Sequence, residues 1–213
     1  AMAQLGFMTL MFYSVAASPY RSPWQVLGPG SAFVLGMAGL ALSGAPTVAA
    51  LLGVGSVLVE WAHRRWGGES NEPSETRGWM LLMLGATLAT ALLVYVLDLW
   101  VWRIDVTALS QSEAHKEWGS IIRLLLWFPW PAWPLALWTL YRWRRQLTSR
   151  HVALPLWFAV VAVGTTLLTG ASDRSLLLSL PPLATLAAFA LPTLRRSVAS
   201  LIDWFTLLFF TSC

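Results

Sequence analysis

Charge is scarce in this chain. Only 11% of its 213 residues are Asp, Glu, Lys or Arg, while 57% are apolar. An ordinary soluble domain carries about 25% charged residues. That shortage argues against a soluble protein, because a core of this size does not hide so many apolar runs of membrane length. Cysteine is almost missing as well. Cys213 stands alone, so no disulfide forms within the chain and the redox compartment is not legible. Sustained alternation of apolar and polar residues is lacking, which removes a membrane barrel. The net charge of +4 is split among short breaks rather than gathered on one face, which excludes a nucleic-acid binder. No P-loop, dinucleotide fingerprint, HExxH or nucleophile elbow occurs. The opening AMAQLGF lacks the basic region of a signal peptide.

What remains is a series of apolar runs separated by polar breaks. Eight segments are expected: about 2–17, 24–42, 47–61, 79–102, 121–141, 152–169, 175–194 and 201 onward. The last is short for a span of about 20 residues. Many of the 14 tryptophans fall at run ends, among them Trp24, Trp61, Trp66, Trp79, Trp100, Trp102, Trp118 and Trp143. An aromatic belt at lipid headgroups has that distribution. The fold class expected is all-α: a polytopic transmembrane helix bundle of about eight segments with the last truncated. Residues 1–213 read as one transmembrane helical domain, cut at both ends from a longer chain.

The arginines orient this bundle. With the N-terminus of the first segment outside, ten of the 14 basic residues fall in four inner breaks: Arg21; Arg64, Arg65 and Arg77; Arg142, Arg144, Arg145 and Arg150; Arg195 and Arg196. Only Arg103, Lys116, Arg123 and Arg174 fall outside. Basic residues govern topology while acids contribute little. The inner arginines are expected to set orientation and touch anionic lipid. The SGAP break, residues 103–118 and the GASDR break then share the outer face.

Ionisable residues near that face are the candidates for chemistry. Asp98 lies in or at the end of the fourth run, and Arg123 about one turn into the fifth. Ionisable groups at membrane depth are functional candidates and usually have partners. An Asp98–Arg123 ion pair across a hairpin is expected, serving either packing or a substrate. Asp105, Glu113, Lys116 and Glu117 lie on the connector between them, where an acid is either solvated or acts as a base or metal ligand. His115 between Glu113 and Glu117 is a weak metal pattern, because i, i+2 neighbours do not share a helix face. Arg174 opens the seventh segment as an isolated outer cation, either binding phosphate or snorkelling. Pro129, Pro131 and Pro134 are expected to bend or interrupt the fifth helix, and Pro181 and Pro182 the seventh. Such breaks in a bilayer line cavities or pack on other helices.

Three stretches, in matching order, resemble one family. GMAGLALSGAP at 36–46 looks like the G-L-x-x-L-[ST]-K-G-P stretch of family 39 glycosyltransferases. LLLWFPWPAWPLALWTLYRWRR at 124–145 is similar to that family's aromatic-proline helix. SDRSLLLSLPPLATLAAFAL at 172–191 resembles its R-Y-x-L-P-x-x-P helix start. The family has the GT-C membrane fold and includes the lipid A aminoarabinose transferase and protein mannosyltransferases. Gly44 stands where the family commonly has lysine, and Ser175 where it has tyrosine.

The resemblance implies a transferase that takes a sugar from a polyprenyl-phosphate donor at the outer face of the bacterial inner membrane. Its acceptor would be a lipid, a glycan or a protein. It implies a phosphate contact at Arg174, with a divalent cation as a candidate cofactor. Arg123, Asp98 and Asp105 join Arg174 as candidate substrate contacts because of their place at the outer face. The family's catalytic aspartate lies in an outer loop that would precede Met2. The alternatives are a membrane transporter and a non-catalytic membrane scaffold. Ionisable residues that gather at outer helix ends, with no internal repeat, favour the interfacial enzyme over the transporter.

Overall fold

The computed structural model describes residues 2–18, 27–66, 73–99, 130, 132–147, 149–169, 176–194, 200, 203–208 and 211. Every regular element among them is helical. The main helices are α1 (Met2–Ala17), α2 (Leu27–Leu42), α3 (Pro46–Trp66), α4 (Pro73–Val96), α5 (Ala132–Arg142), α6 (Arg150–Thr169) and α7 (Leu180–Ala190). Short 3₁₀ turns at Leu177–Ser179 and Leu191–Thr193 flank α7.

Two of these helices are long and apolar enough to cross a membrane: Pro46–Arg65 within α3 and Gly78–Val96 within α4. Their residues are only 39% and 28% buried, whereas the core helix of a soluble protein is mostly buried. On α4, Leu81, Leu84, Leu88 and Leu92 form an exposed stripe at the three- and four-residue spacing of one helix face. Nothing described in the chain covers it. The expectation of a transmembrane bundle of about eight segments, the last truncated, is therefore met only in part. α1 and α2 have 16 residues each, or roughly 24 Å of helix against a hydrocarbon core of about 30 Å.

Small residues let the helices approach closely. A side chain at Gly36 would collide with the Phe7 carbonyl and Met11, which fixes the α1–α2 contact. A side chain at Gly55 would collide with the Trp157 indole of α6. Trp157 donates its indole N–H to the Leu51 carbonyl of α3 at 3.2 Å. This is how helices associate where lipid removes the hydrophobic drive between them. Around these contacts Met8, Met11, Phe33, Met37, Leu40, Leu52, Met83 and Phe158 form the buried core. Phe12 meets Phe158 edge to face at 5.2 Å, a favoured aromatic geometry. A smaller cluster joins α5 and α7, where the buried Thr139 hydroxyl donates to the Leu186 carbonyl at 2.7 Å.

The prolines behave more mildly than expected. Pro134 lies in the first turn of α5, where a missing N–H removes no intrahelical bond. Pro181 and Pro182 occupy the first positions of α7 for the same reason. They mark a change from 3₁₀ to α-helix rather than an interruption. Pro129 and Pro131 lie outside the described residues. Pro155 lies past the first turn of α6, and the sequence reading passed over it.

Candidate functional site

The bundle has two chemically different ends. The Gln4 side chain of α1 donates to the Ser43 carbonyl at 3.0 Å, tying the start of α1 to the end of α2. Pro46 at the start of α3 and Asp98 beyond α4 border one cavity, so these termini share that end. Glu60 and Arg64 near the end of α3 mark the opposite one. Fourteen residues of helix separate Pro46 from Glu60, roughly 21 Å.

Helices α2 and α4 stop in the same way. Gly44 has φ 89° and Asp98 φ 48°. Gly44 N–H donates to the Ala41 carbonyl and Ala45 N–H to the Leu40 carbonyl, each at 3.2 Å. Asp98 N–H donates to Tyr95 at 3.3 Å and Leu99 N–H to Val94 at 3.0 Å. Both are Schellman closures, whose left-handed residue is usually glycine. Asp98 accepts a conformation that a glycine adopts without steric cost. The sequence reading carried the fourth segment on to Trp102, but α4 ends at Val96. The apolar letters after Val96 hide this stop, since the turn is made by an aspartate rather than by glycine or proline.

The cavity at this end has a volume of about 350 Å³. Met37, Pro46, Ala50, Ala91 and Val94 form its apolar wall, and Thr87, Thr90, Tyr95 and Asp98 add polar groups. Asp98 and Tyr95 are exposed, while Thr90 is buried. The threonine hydroxyls are not free to the same degree as the carboxylate. Thr87 donates to the Met83 carbonyl at 2.7 Å and Thr90 to the Ala86 carbonyl at 2.8 Å. Among the described residues Asp98 is the one charged group on the wall.

Of the expected site residues, the structure describes Asp98 alone. Arg123, Asp105 and Arg174 lie outside the described residues, and so do Glu113, His115, Lys116 and Glu117. The Asp98–Arg123 contact falls there with them. Among the described residues no group of three or more His, Cys, Asp or Glu comes together. The expected divalent cation finds no protein-built site among them.

The opposite end holds a buried ion cluster that sequence reasoning missed. Glu60 of α3 is 2% exposed and Arg150, the first residue of α6, 8% exposed. Their side chains meet at 2.8 Å, and Arg64 reaches the other Glu60 oxygen at 3.5 Å. Arg150 also donates to the Ser18 hydroxyl at 2.6 Å and to the Val15 carbonyl at the end of α1. One guanidinium therefore fastens α1, α3 and α6 while satisfying a carbonyl that the end of α1 leaves open. This corrects the reading of Arg150 as a loop arginine facing lipid. The available signal was Glu60 itself. It sits inside the apolar run VLVEW, and the argument that singled out Asp98 applies equally to it.

No family model, curated protein or solved structure matches this chain.

Proposed function

We propose that the chain is part of a polytopic helical membrane protein that binds a lipid-linked phosphate substrate at its Asp98 end. The enzyme class this fits best is a polyprenyl-phosphate sugar transferase of the GT-C type. The observation that carries the reading is the cavity between α2, α3 and α4. Met37, Pro46, Ala50, Ala91 and Val94 make its wall mainly apolar, Thr87 and Thr90 turn their hydroxyls onto carbonyls of α4, and its charged group stands at one end. A polyprenyl chain needs an apolar groove for its tail and an interfacial polar mouth for its phosphate. Transporter sites instead lie near the bilayer midplane, and this cavity lies toward one end. Pro46 and Met37, both on its wall, belong to the 36–46 stretch that resembles the family. The membrane in question is the bacterial inner membrane, with the Asp98 end outward.

A phosphate does not approach a bare carboxylate without cost. In this reading Asp98 faces the acceptor, where it accepts a hydrogen bond from the attacking hydroxyl and orients it. The arginines expected at this face, Arg123 and Arg174, would take the donor phosphate through bidentate hydrogen bonds. In this reading Asp98 acts as a positioning residue rather than as the general base.

Native mass spectrometry of the purified full-length protein tests the binding step. Polyprenyl phosphate is expected to remain bound. Ala50→Phe, which fills the groove, should weaken it by about tenfold or more, equivalent to about 1.4 kcal/mol. Asp98→Gly should keep the fold and the bound lipid but lower transfer to the acceptor. Polyprenyl phosphate binding that is absent, or that survives Ala50→Phe intact, would remove the assignment.

A further inference from the structure

The second cavity of the bundle lies at the other end, where α5 gives way to the turn before α6. It has a volume of about 430 Å³ and is lined by Arg142, Trp143, Arg144, Arg145, Gln146 and Thr193. Three arginines line one hollow, and among the described residues no acid forms an ion pair with any of them. The acidic partner at this end, Glu60, is already engaged by Arg150 and Arg64. Like charges gathered around one cavity repel, and an anion among them relieves that repulsion. The walls are firmly held. Trp138 of α5 donates its indole N–H to the Thr193 hydroxyl at 3.3 Å, and Arg144 lies over the Tyr141 ring at 5.3 Å.

What surrounds the hollow says which anion fits. Leu137, Trp138 and Tyr141 on α5 and Leu191 beside α7 are all large, apolar or aromatic, and exposed. They lead from the cavity mouth along the outside of the bundle. A soluble anion would use the arginines and leave this surface bare. A phospholipid uses both, with its phosphate among the arginines and its acyl chains along the apolar flank. Tryptophan and tyrosine at such a boundary are the usual residues of the headgroup level.

We propose that this cavity binds the headgroup of an anionic phospholipid from the leaflet opposite the Asp98 end, with preference for a headgroup carrying two phosphates. Three arginines exceed what one phosphodiester neutralises, and basic pockets between membrane helices take headgroups of this kind. Arg144 and Arg145 supply bidentate donors to phosphate oxygens, and the Gln146 amide adds a neutral donor. The proposal rests on the membrane part of the functional reading and not on its transferase part.

The experiment is lipid retention by the full-length protein in nanodiscs of phosphatidylcholine containing either phosphatidylglycerol or cardiolipin. Native mass spectrometry counts the lipids that stay bound after release. Cardiolipin is expected to be retained over phosphatidylglycerol, and phosphatidylglycerol over phosphatidylcholine. Arg144→Gln with Arg145→Gln should lower anionic retention by about tenfold, as loss of two charge-assisted contacts implies. Arg65→Gln with Arg77→Gln removes the same charge from the last turn of α3 and the first turns of α4 and should change it less than about twofold. Equal losses from the two double variants would mean diffuse attraction only, and would overturn the site. Alkaline carbonate extraction run beside it separates the two claims. A chain that washes out of the bilayer overturns the membrane reading and this site together. A chain that stays embedded yet holds all three lipids equally overturns the site alone.

Discussion

The single residue that does most to hold the described helices together is Arg150. Its guanidinium meets Glu60 at 2.8 Å and Ser18 at 2.6 Å, contacts that span three helices. Removing one member of a buried pair leaves the other charge without compensation, which costs about 3–5 kcal/mol. Glu60→Ala is expected to destabilise the protein by that amount in detergent, read as a fall in unfolding midpoint. Glu60→Met with Arg150→Met should recover most of the loss, since apolar replacement of a whole buried pair is often neutral. A double variant as unstable as the single would mean that the pair itself is irreplaceable. Glycine gives a second contrast. Gly55 faces the Trp157 indole with no room for a side chain, whereas Gly85 has open space around it. Gly55→Leu is expected to cost about 1–3 kcal/mol or more through overpacking. Gly85→Leu should be close to neutral by the same unfolding measurement.

At the scale of the element, α4 has the length, apolarity and exposure of a membrane-spanning helix. Its exposed stripe runs Leu81, Leu84, Leu88 and Leu92, and Gly85 lies beside it. Leu88 is 64% exposed and near the middle of the apolar span. Arginine at the centre of an inserted helix costs about 2.5–3.5 kcal/mol. Leu88→Arg is therefore expected to reduce insertion, measured as the fraction glycosylated or protected in a translocation assay. On a soluble surface the same change would be within about 0.5 kcal/mol of neutral, so unchanged insertion and improved solubility would count against the membrane. Several helix boundaries were legible because Pro and Gly punctuate the apolar runs, but charge misled: α3 runs on through His63, Arg64 and Arg65 to Trp66, and α4 begins at Pro73 rather than near Trp79. α1 ends at Ala17 and α2 at Leu42, as their following turn residues imply. The end of α4 was not legible, because Asp98 closes the helix in the middle of apolar sequence. The effect of Pro134, Pro181 and Pro182 was misjudged for a positional reason. Proline at the start of a helix removes no bond, and only the structure shows where each helix starts.

At the scale of the whole molecule, the breaks sort chemically between two ends. Ser43 and Asp98 fall at one, and Arg64, Arg150 and the arginines from 142 to 145 at the other. The basic-residue asymmetry of the sequence anticipated this sorting. It did not anticipate Glu60 with Arg150, which lie 90 residues apart and meet only through the packing of α3 on α6. It anticipated a polar site at the Asp98 end but not its apolar wall, because the approach of α2, α3 and α4 depends on packing at Gly53 and Met37. The central claim is that these ends lie on opposite sides of a bilayer. Site-directed labelling tests it most directly. With Cys213→Ser as background, Asp98→Cys and Gln146→Cys are each treated in intact cells with a maleimide that does not cross membranes. The account predicts that position 98 labels at once and position 146 only after permeabilisation. Labelling of both positions in intact cells, or of neither until the membrane is opened, would contradict it.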